Sequence, residues 1–173
     1  IYGIYAQSMI YRIKARPSWN RITTNMKFFG VAYIGAFMMA FTALLLGMNE
    51  VVIPLMTLGM LGALAQIFFT YEDFRTLQDV HVNEYQLKRT ARLYNENFPK
   101  VKLFRLLSMI VGGIILPLLV IVYVSSSFLG GAMFVMLLSL MLTFSSELSD
   151  RFLFYATVVP LGMAGGFFVG KQR

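Results

Sequence analysis

The sequence predicts an all-α fold, a polytopic transmembrane helix bundle, on three observations. Of 173 residues, 58 % are apolar and only 13 % charged, against roughly 25 % charged in a soluble domain. Four runs reach the length of a spanning helix, which needs about 20 mainly apolar residues because the hydrocarbon layer is ~30 Å thick. Those runs are separated by very short turns and by one long hydrophilic stretch.

Residues 1–25 read as the end of a preceding helix and an interfacial loop. Ile1 to Ile10 is apolar but lacks the basic start and cleavage site of a signal peptide, so the chain is expected to be a fragment of a longer protein. The next unit, 26–71, is a transmembrane hairpin. Met26 to Gly47 is apolar apart from Lys27, which is expected to snorkel to the interface. Only Gly47 to Glu50 separates it from the second run, Val51 to Tyr71.

Residues 72–105 form an amphipathic charged loop with five acids and seven bases. Phe74, Leu77 and Val80, then Leu87, Ala91, Tyr94 and Phe98, recur at helical spacing. That stripe is expected to lie on the membrane interface or to dock on a partner. Residues 106–173 hold the C-terminal transmembrane helices and tail. Leu106 to Val124 is the third span, and Pro117 inside it predicts a kink or local unwinding.

Phe128 to Phe144 begins the fourth span, which Glu147, Asp150 and Arg151 interrupt before Phe152 to Phe168 continues apolar. Either one long helix crosses with its charges near one interface and a Gly/Pro-rich tail along the surface, or a fifth segment returns. Pro160, Gly162, Gly165, Gly166 and Gly170 favour the first reading.

There is no cysteine, so this chain supplies no disulfide, thiolate zinc site or Fe–S ligand. The one histidine, His81, lies outside the apolar runs, whereas haem held by paired imidazoles needs two. The net charge of +7 points to lipid headgroups or an acidic partner rather than nucleic acid. Bases cluster before the first span and in the long loop, which by the positive-inside rule places those segments in the cytoplasm.

The polar cluster Ser145 to Arg151 carries the most chemical promise. Glu147 and Arg151, four residues apart, share a helix face, and an ionisable pair at membrane depth marks a functional site by default. A carboxylate held by a guanidinium would orient a quinol hydroxyl or accept its proton; the plainer reading is mutual neutralisation at the helix end. Arg16 and Trp19, flanking Pro17 before the first span, read as an interfacial anchor or as the border of a quinone headgroup. His81 reads as a solvated or capping residue, with a proton-relay role as the alternative. Met38, Met39 and the Met133 to Met141 run read as lipid-facing or packing residues, with a quinone slot as the alternative. Gly59 and Ala63 have spacing that permits close helix approach. No phosphate loop, nucleophile triad or metal-ligand cluster supports a hydrolase or ATPase.

Two stretches carry a family resemblance. Tyr11-Arg-Ile-Lys-Ala-Arg-Pro-Ser-Trp-Asn20 leading into Lys27-Phe-Phe-Gly, and Glu147-Leu-Ser-Asp-Arg-Phe-Leu-Phe-Tyr155, resemble the membrane-anchor subunit of the dimethyl sulfoxide reductase family. The second is similar to the family's Gly-Glu-Leu-x-Gly-Arg-x-x-Phe-Tyr pattern, with Ser146, Ser149 and Asp150 standing where the family shows small residues and glycine. The resemblance implies a roughly eight-helix bacterial inner-membrane protein of which this is the C-terminal half. It implies a haem-free, non-catalytic subunit that oxidises menaquinol and passes electrons to an iron–sulfur subunit, which feeds a molybdopterin catalytic subunit. The family's best-supported quinol residues fall in the other half, so Arg16, Trp19, Glu147 and Arg151 are expected as the remaining wall or support of the site. The resemblance also places the charged loops on the side where the iron–sulfur subunit docks, often the periplasm, against the charge rule. The readings from other classes are a transporter or channel with Glu147 and Arg151 in its pathway, and a structural membrane scaffold.

Overall fold

The computed structural model describes residues 2–12, 16, 18–78 and 85–159. The helices are α1 (Tyr2–Tyr11), α2 (Ile22–Gly30), α3 (Ala32–Leu45), α4 (Asn49–Gln78), α5 (Tyr85–Arg92), α6 (Pro99–Ile110), α7 (Leu116–Ser125) and α8 (Leu129–Ala156). Among the described residues, four stretches are long and apolar enough to cross a bilayer: Ile22–Leu45, Asn49–Asp73, Pro99–Ser125 and Leu129–Ala156. Their outer faces expose Met38, Leu58, Leu61, Phe134 and Met141. Such faces oppose water but suit lipid. Phe37, Met56, Met109, Val120 and Met136 fill the centre.

Two antiparallel hairpins make the bundle, and their turns are built alike. In the first, the Met48 N–H donates to the Ala43 carbonyl at 2.9 Å; in the second, the Phe128 N–H donates to the Tyr123 carbonyl at 2.9 Å. Each closure needs a left-handed residue just before it, supplied by Gly47 (φ 72°) and Ser127 (φ 61°). Serine pays a Cβ penalty there that glycine avoids. Ser127→Gly is therefore expected to stabilise the protein by about 0.5–1 kcal/mol, read as a raised unfolding midpoint in detergent.

Pro117 acts as expected, with a structural detail the sequence does not specify. Lacking an N–H, it frees the carbonyl one turn earlier, and the backbone widens into a π-helical turn over Val111–Ile115. Gly112 and Gly113 lie in that turn, where α8 and α4 come close. A Cβ on Gly112 would stand 2.7 Å from Leu142 Cβ, and one on Gly113 would stand 2.9 Å from Ala63 Cβ. Ala63, marked by its spacing from Gly59, is thus a contact of the kinked helix, while Gly59 makes room for the Phe37 ring.

Both hairpin turns lie at one end of the bundle. The other end gathers the start of α2, the end of α4, α5, the start of α6 and the end of α8, and with them most of the charge. α8 runs unbroken through Glu147, Asp150 and Arg151 to Ala156. In the later half of the amphipathic stripe, Phe98 meets Phe152 of α8 edge-on at 5.4 Å, and Leu87, Ala91 and Tyr94 are half-buried. Val80, His81 and Pro160 to Phe168, the last covering most of the candidate fifth segment, lie outside the described residues.

Candidate functional site

Three polar and aromatic layers occupy the charged end. Outermost, Asp73 on α4 ties down the start of the first span. Its Oδ1 accepts from Arg21 Nη1 and Thr23 Oγ1, both at 2.9 Å, and its Oδ2 accepts from Lys27 Nζ at 2.6 Å. Lys27 therefore does not reach out to the interface as its position in the sequence suggests; a carboxylate one helix away holds it.

The second layer lies deeper. Arg105 on α6 pairs with Asp150 on α8 at 2.8 Å, each side chain only 3 % exposed. Arg105 Nη2 also donates to Thr70 Oγ1 at 2.8 Å, and Ser146 Oγ donates to the Arg105 carbonyl at 2.9 Å. Arg105 and Asp150 each sit six residues from their helix end, about 9 Å along the axis. One turn deeper on α8, Glu147 Oε1 accepts from Tyr33 Oη of α3 at 3.3 Å and from Gln66 Nε2 of α4 at 3.5 Å. Among the described residues, Glu147 Oε2, Gln66 Oε1 and Asp150 Oδ2 are buried without a hydrogen-bond partner.

The third layer is aromatic. Trp19 is buried, stacks on Phe154 with centroids 4.8 Å apart, and donates its indole N–H to the Phe154 carbonyl at 3.1 Å. Tyr11 and Phe28 close the cluster, and the Tyr155 and Tyr11 hydroxyls meet at 2.8 Å. The Arg16 guanidinium lies 4.1 Å over Trp19, and that of Arg151 lies 4.1 Å over Phe28. Cation–π contacts of this kind hold both cations against ring faces.

The four residues singled out from sequence therefore separate. Arg16, Trp19 and Arg151 meet in the aromatic layer. Glu147 meets Tyr33 of α3 and Gln66 of α4 instead, and Arg151 makes no ion pair with it despite the helical spacing. Sequence reasoning missed Tyr33, Gln66, Arg105 and Asp73. The signal for Tyr33 and Gln66 was their polarity inside otherwise apolar runs.

Two grooves flank Glu147's helix end. One, of about 380 Å³, runs along the lipid-facing side of α3 and α4. Ala32, Ala36, Gly62 and Ala65 make it hollow, Met39 and Phe69 are among its walls, and Tyr33 and Gln66 lie in its lining. The other, of about 270 Å³, lies between α1, the first span and α8, lined by Gln7, Phe28, Gly35, Arg151 and Tyr155 among others.

A family model described as DMSO reductase anchor subunit (DmsC) matches residues 1–157. The chain belongs to this family. No curated protein and no solved structure matches it. As a DMSO reductase anchor subunit, it is a multi-pass membrane protein whose helices hold a complex to the bilayer, and the resemblance seen at residues 11–30 and 147–155 falls within the matched region. In this anchor subunit those two stretches pack against each other through Trp19 and Phe154. Within the second stretch, Asp150 supplies the carboxylate that Arg105 engages. Among the described residues of the anchor, no cluster of His, Asp and Glu could hold a metal ion.

Proposed function

We propose that this anchor oxidises a membrane quinol, menaquinol by the resemblance, in the bacterial inner membrane. The observation that carries this reading is the α3–α4 groove, whose two polar lining residues, Tyr33 and Gln66, both hydrogen-bond Glu147. Apolar walls suit an isoprenoid tail, and Tyr33 and Gln66, nearly or fully buried in the groove wall, connect it to Glu147. Oxidation of a quinol to a quinone releases two protons and two electrons. Tyr33 and Gln66 hold Glu147 Oε1, and Glu147 accepts the two protons one after the other at its uncommitted Oε2; the two electrons leave to an iron–sulfur subunit, which supplies a molybdopterin subunit.

Arg151, Trp19 and Arg16 play the supporting part. Their stack fixes the end of α8 against α2, and so fixes the rotation that points Glu147 at Tyr33. Lys88, Arg92 and Lys100 stand exposed at the same end and offer an acidic iron–sulfur partner a complementary surface.

The test is fluorescence quenching of a quinol-site inhibitor in membranes containing the assembled complex, together with quinol turnover. Wild type is expected to bind saturably. Glu147→Gln keeps the shape but removes the proton acceptor, and is expected to lower turnover about 100-fold. Arg151→Ala is expected to weaken inhibitor binding with a smaller effect on turnover. Absence of binding in a fully assembled wild-type complex overturns the reading.

A further inference from the structure

The buried polar atoms do not end at Glu147. Three residues along α8, Asp150 lies toward the charged end, and side chains at that spacing lie about 5–6 Å apart at Cβ. Arg105 engages Asp150 Oδ1, and Oδ2 is left without a partner among the described residues. Asp150 in turn lines a partly open cavity of about 40 Å³ at the charged end, together with Ser18, Thr70, Asp73, Lys27 and Thr90. Ser18 Oγ and Thr90 Oγ1 are also buried without a hydrogen-bond partner among the described residues. A polar cavity of this size has room for water, and unpaired buried oxygens are the groups that internal water satisfies.

We infer that these groups form a hydrated proton path from the middle of the bundle to the charged end. It rests on the quinol reading for the origin of its protons. Glu147 takes the proton at Oε2 and hands it to Asp150 Oδ2, the next unpartnered carboxylate oxygen toward the charged end. Arg105 holds the other oxygen of Asp150, which keeps Oδ2 turned to the cavity. Cavity water next to Ser18 and Thr90 carries the proton to the Asp73 cluster, the outermost polar layer, where the Arg21 and Asp73 side chains are each 16 % exposed. Each step moves one proton between oxygens and changes no oxidation state. Among the described residues, Tyr33 of α3, Gln66 of α4, Arg105 of α6 and, on its own helix, Asp150 and Arg151 are the polar or charged groups set around Glu147.

The assembled complex in liposomes, with a pH-indicating dye outside, separates inhibitor binding, electron transfer and proton release. Ser18→Val with Thr90→Val removes both hydroxyls and narrows the cavity without touching the Arg105–Asp150 pair. This variant is expected to bind the inhibitor as wild type does while turnover and proton release slow about 10-fold. Asp150→Asn is expected to slow them further wherever the complex assembles. Unchanged proton release in the double variant, with binding retained, overturns the path and leaves the quinol reading intact. Radiolytic labelling from bound water tests the path without quinol. Leu153 is only 1 % exposed yet lines the cavity, so its labelling in wild type, and loss of labelling in the double variant, is the expected result. An unlabelled Leu153 in wild type overturns the path whether or not quinol binds.

Discussion

Arg105→Leu is expected to destabilise the protein by about 3–5 kcal/mol, the range for breaking one side of a buried ion pair. The substitution leaves Asp150, 2 % exposed, as a buried carboxylate without the guanidinium that pairs with it. It also strips Thr70 Oγ1 of its donor. The reverse single substitution, Asp150→Leu, strands a guanidinium instead and is expected to cost a similar amount. The informative result is the pair: Arg105→Leu with Asp150→Leu removes both charges together and is expected to recover most of the loss, because two well-packed apolar side chains replace a buried pair at little net cost. Unfolding in detergent and the yield of assembled complex read the stability directly. Recovery of stability without recovery of quinol turnover would separate the structural work of the pair from its place beside the proton path.

This pair also shows where sequence reading stops. Helical spacing places Glu147 and Arg151 on one face, and α8 does carry both there, but spacing says nothing of what each meets across the bundle. Glu147 finds Tyr33, 114 positions away in the chain, and Arg151 finds the Phe28 ring. The plainer reading of mutual neutralisation does not take the form of a direct ion pair, because each side chain has a tertiary neighbour of its own. Lys27 teaches the same lesson. A lysine near the start of a span has enough reach to snorkel, and only the return of α4 to the same depth reveals Asp73 as its counter-charge.

Features set by local physics were legible. Hydrophobic length located four spans, the residues Gly47 to Glu50 and Ser125 to Ser127 placed the tight turns, and Pro117 marked the disturbance in the third span. The aromatic layer was half legible. Trp19 was marked by its type and position before the first span, but its stacking on Phe154 and its hydrogen bond across 135 positions arise from tertiary packing alone. The two stretches that carry the family resemblance turn out to be the two halves of this contact.

The helix crossing that sets all of these positions predicts the second large effect. Gly112→Val is expected to cost about 3 kcal/mol or more, at the upper end of the range for overpacking a closed interior. The first carbon of any side chain there would meet Leu142 Cβ at 2.7 Å, the Thr143 amide nitrogen at 3.0 Å and the Ser139 carbonyl at 3.1 Å. Two of those three are backbone of α8, which no rotamer change can move, so the helices must part. Parting them also lengthens the 2.5 Å bond that Ser139 Oγ donates to the Gly112 carbonyl, at a widened turn where the usual helical ladder is already altered. The control is Gly130→Ala, since nothing lies within 4 Å of a Cβ at Gly130; it is expected to be neutral or slightly stabilising through helix propensity. Gly112 is two turns from Arg105 on the same span. A wider crossing therefore draws Arg105 away from Asp150, and Gly112→Val is expected to lower turnover in whatever fraction assembles, whereas Gly130→Ala leaves both stability and turnover in place.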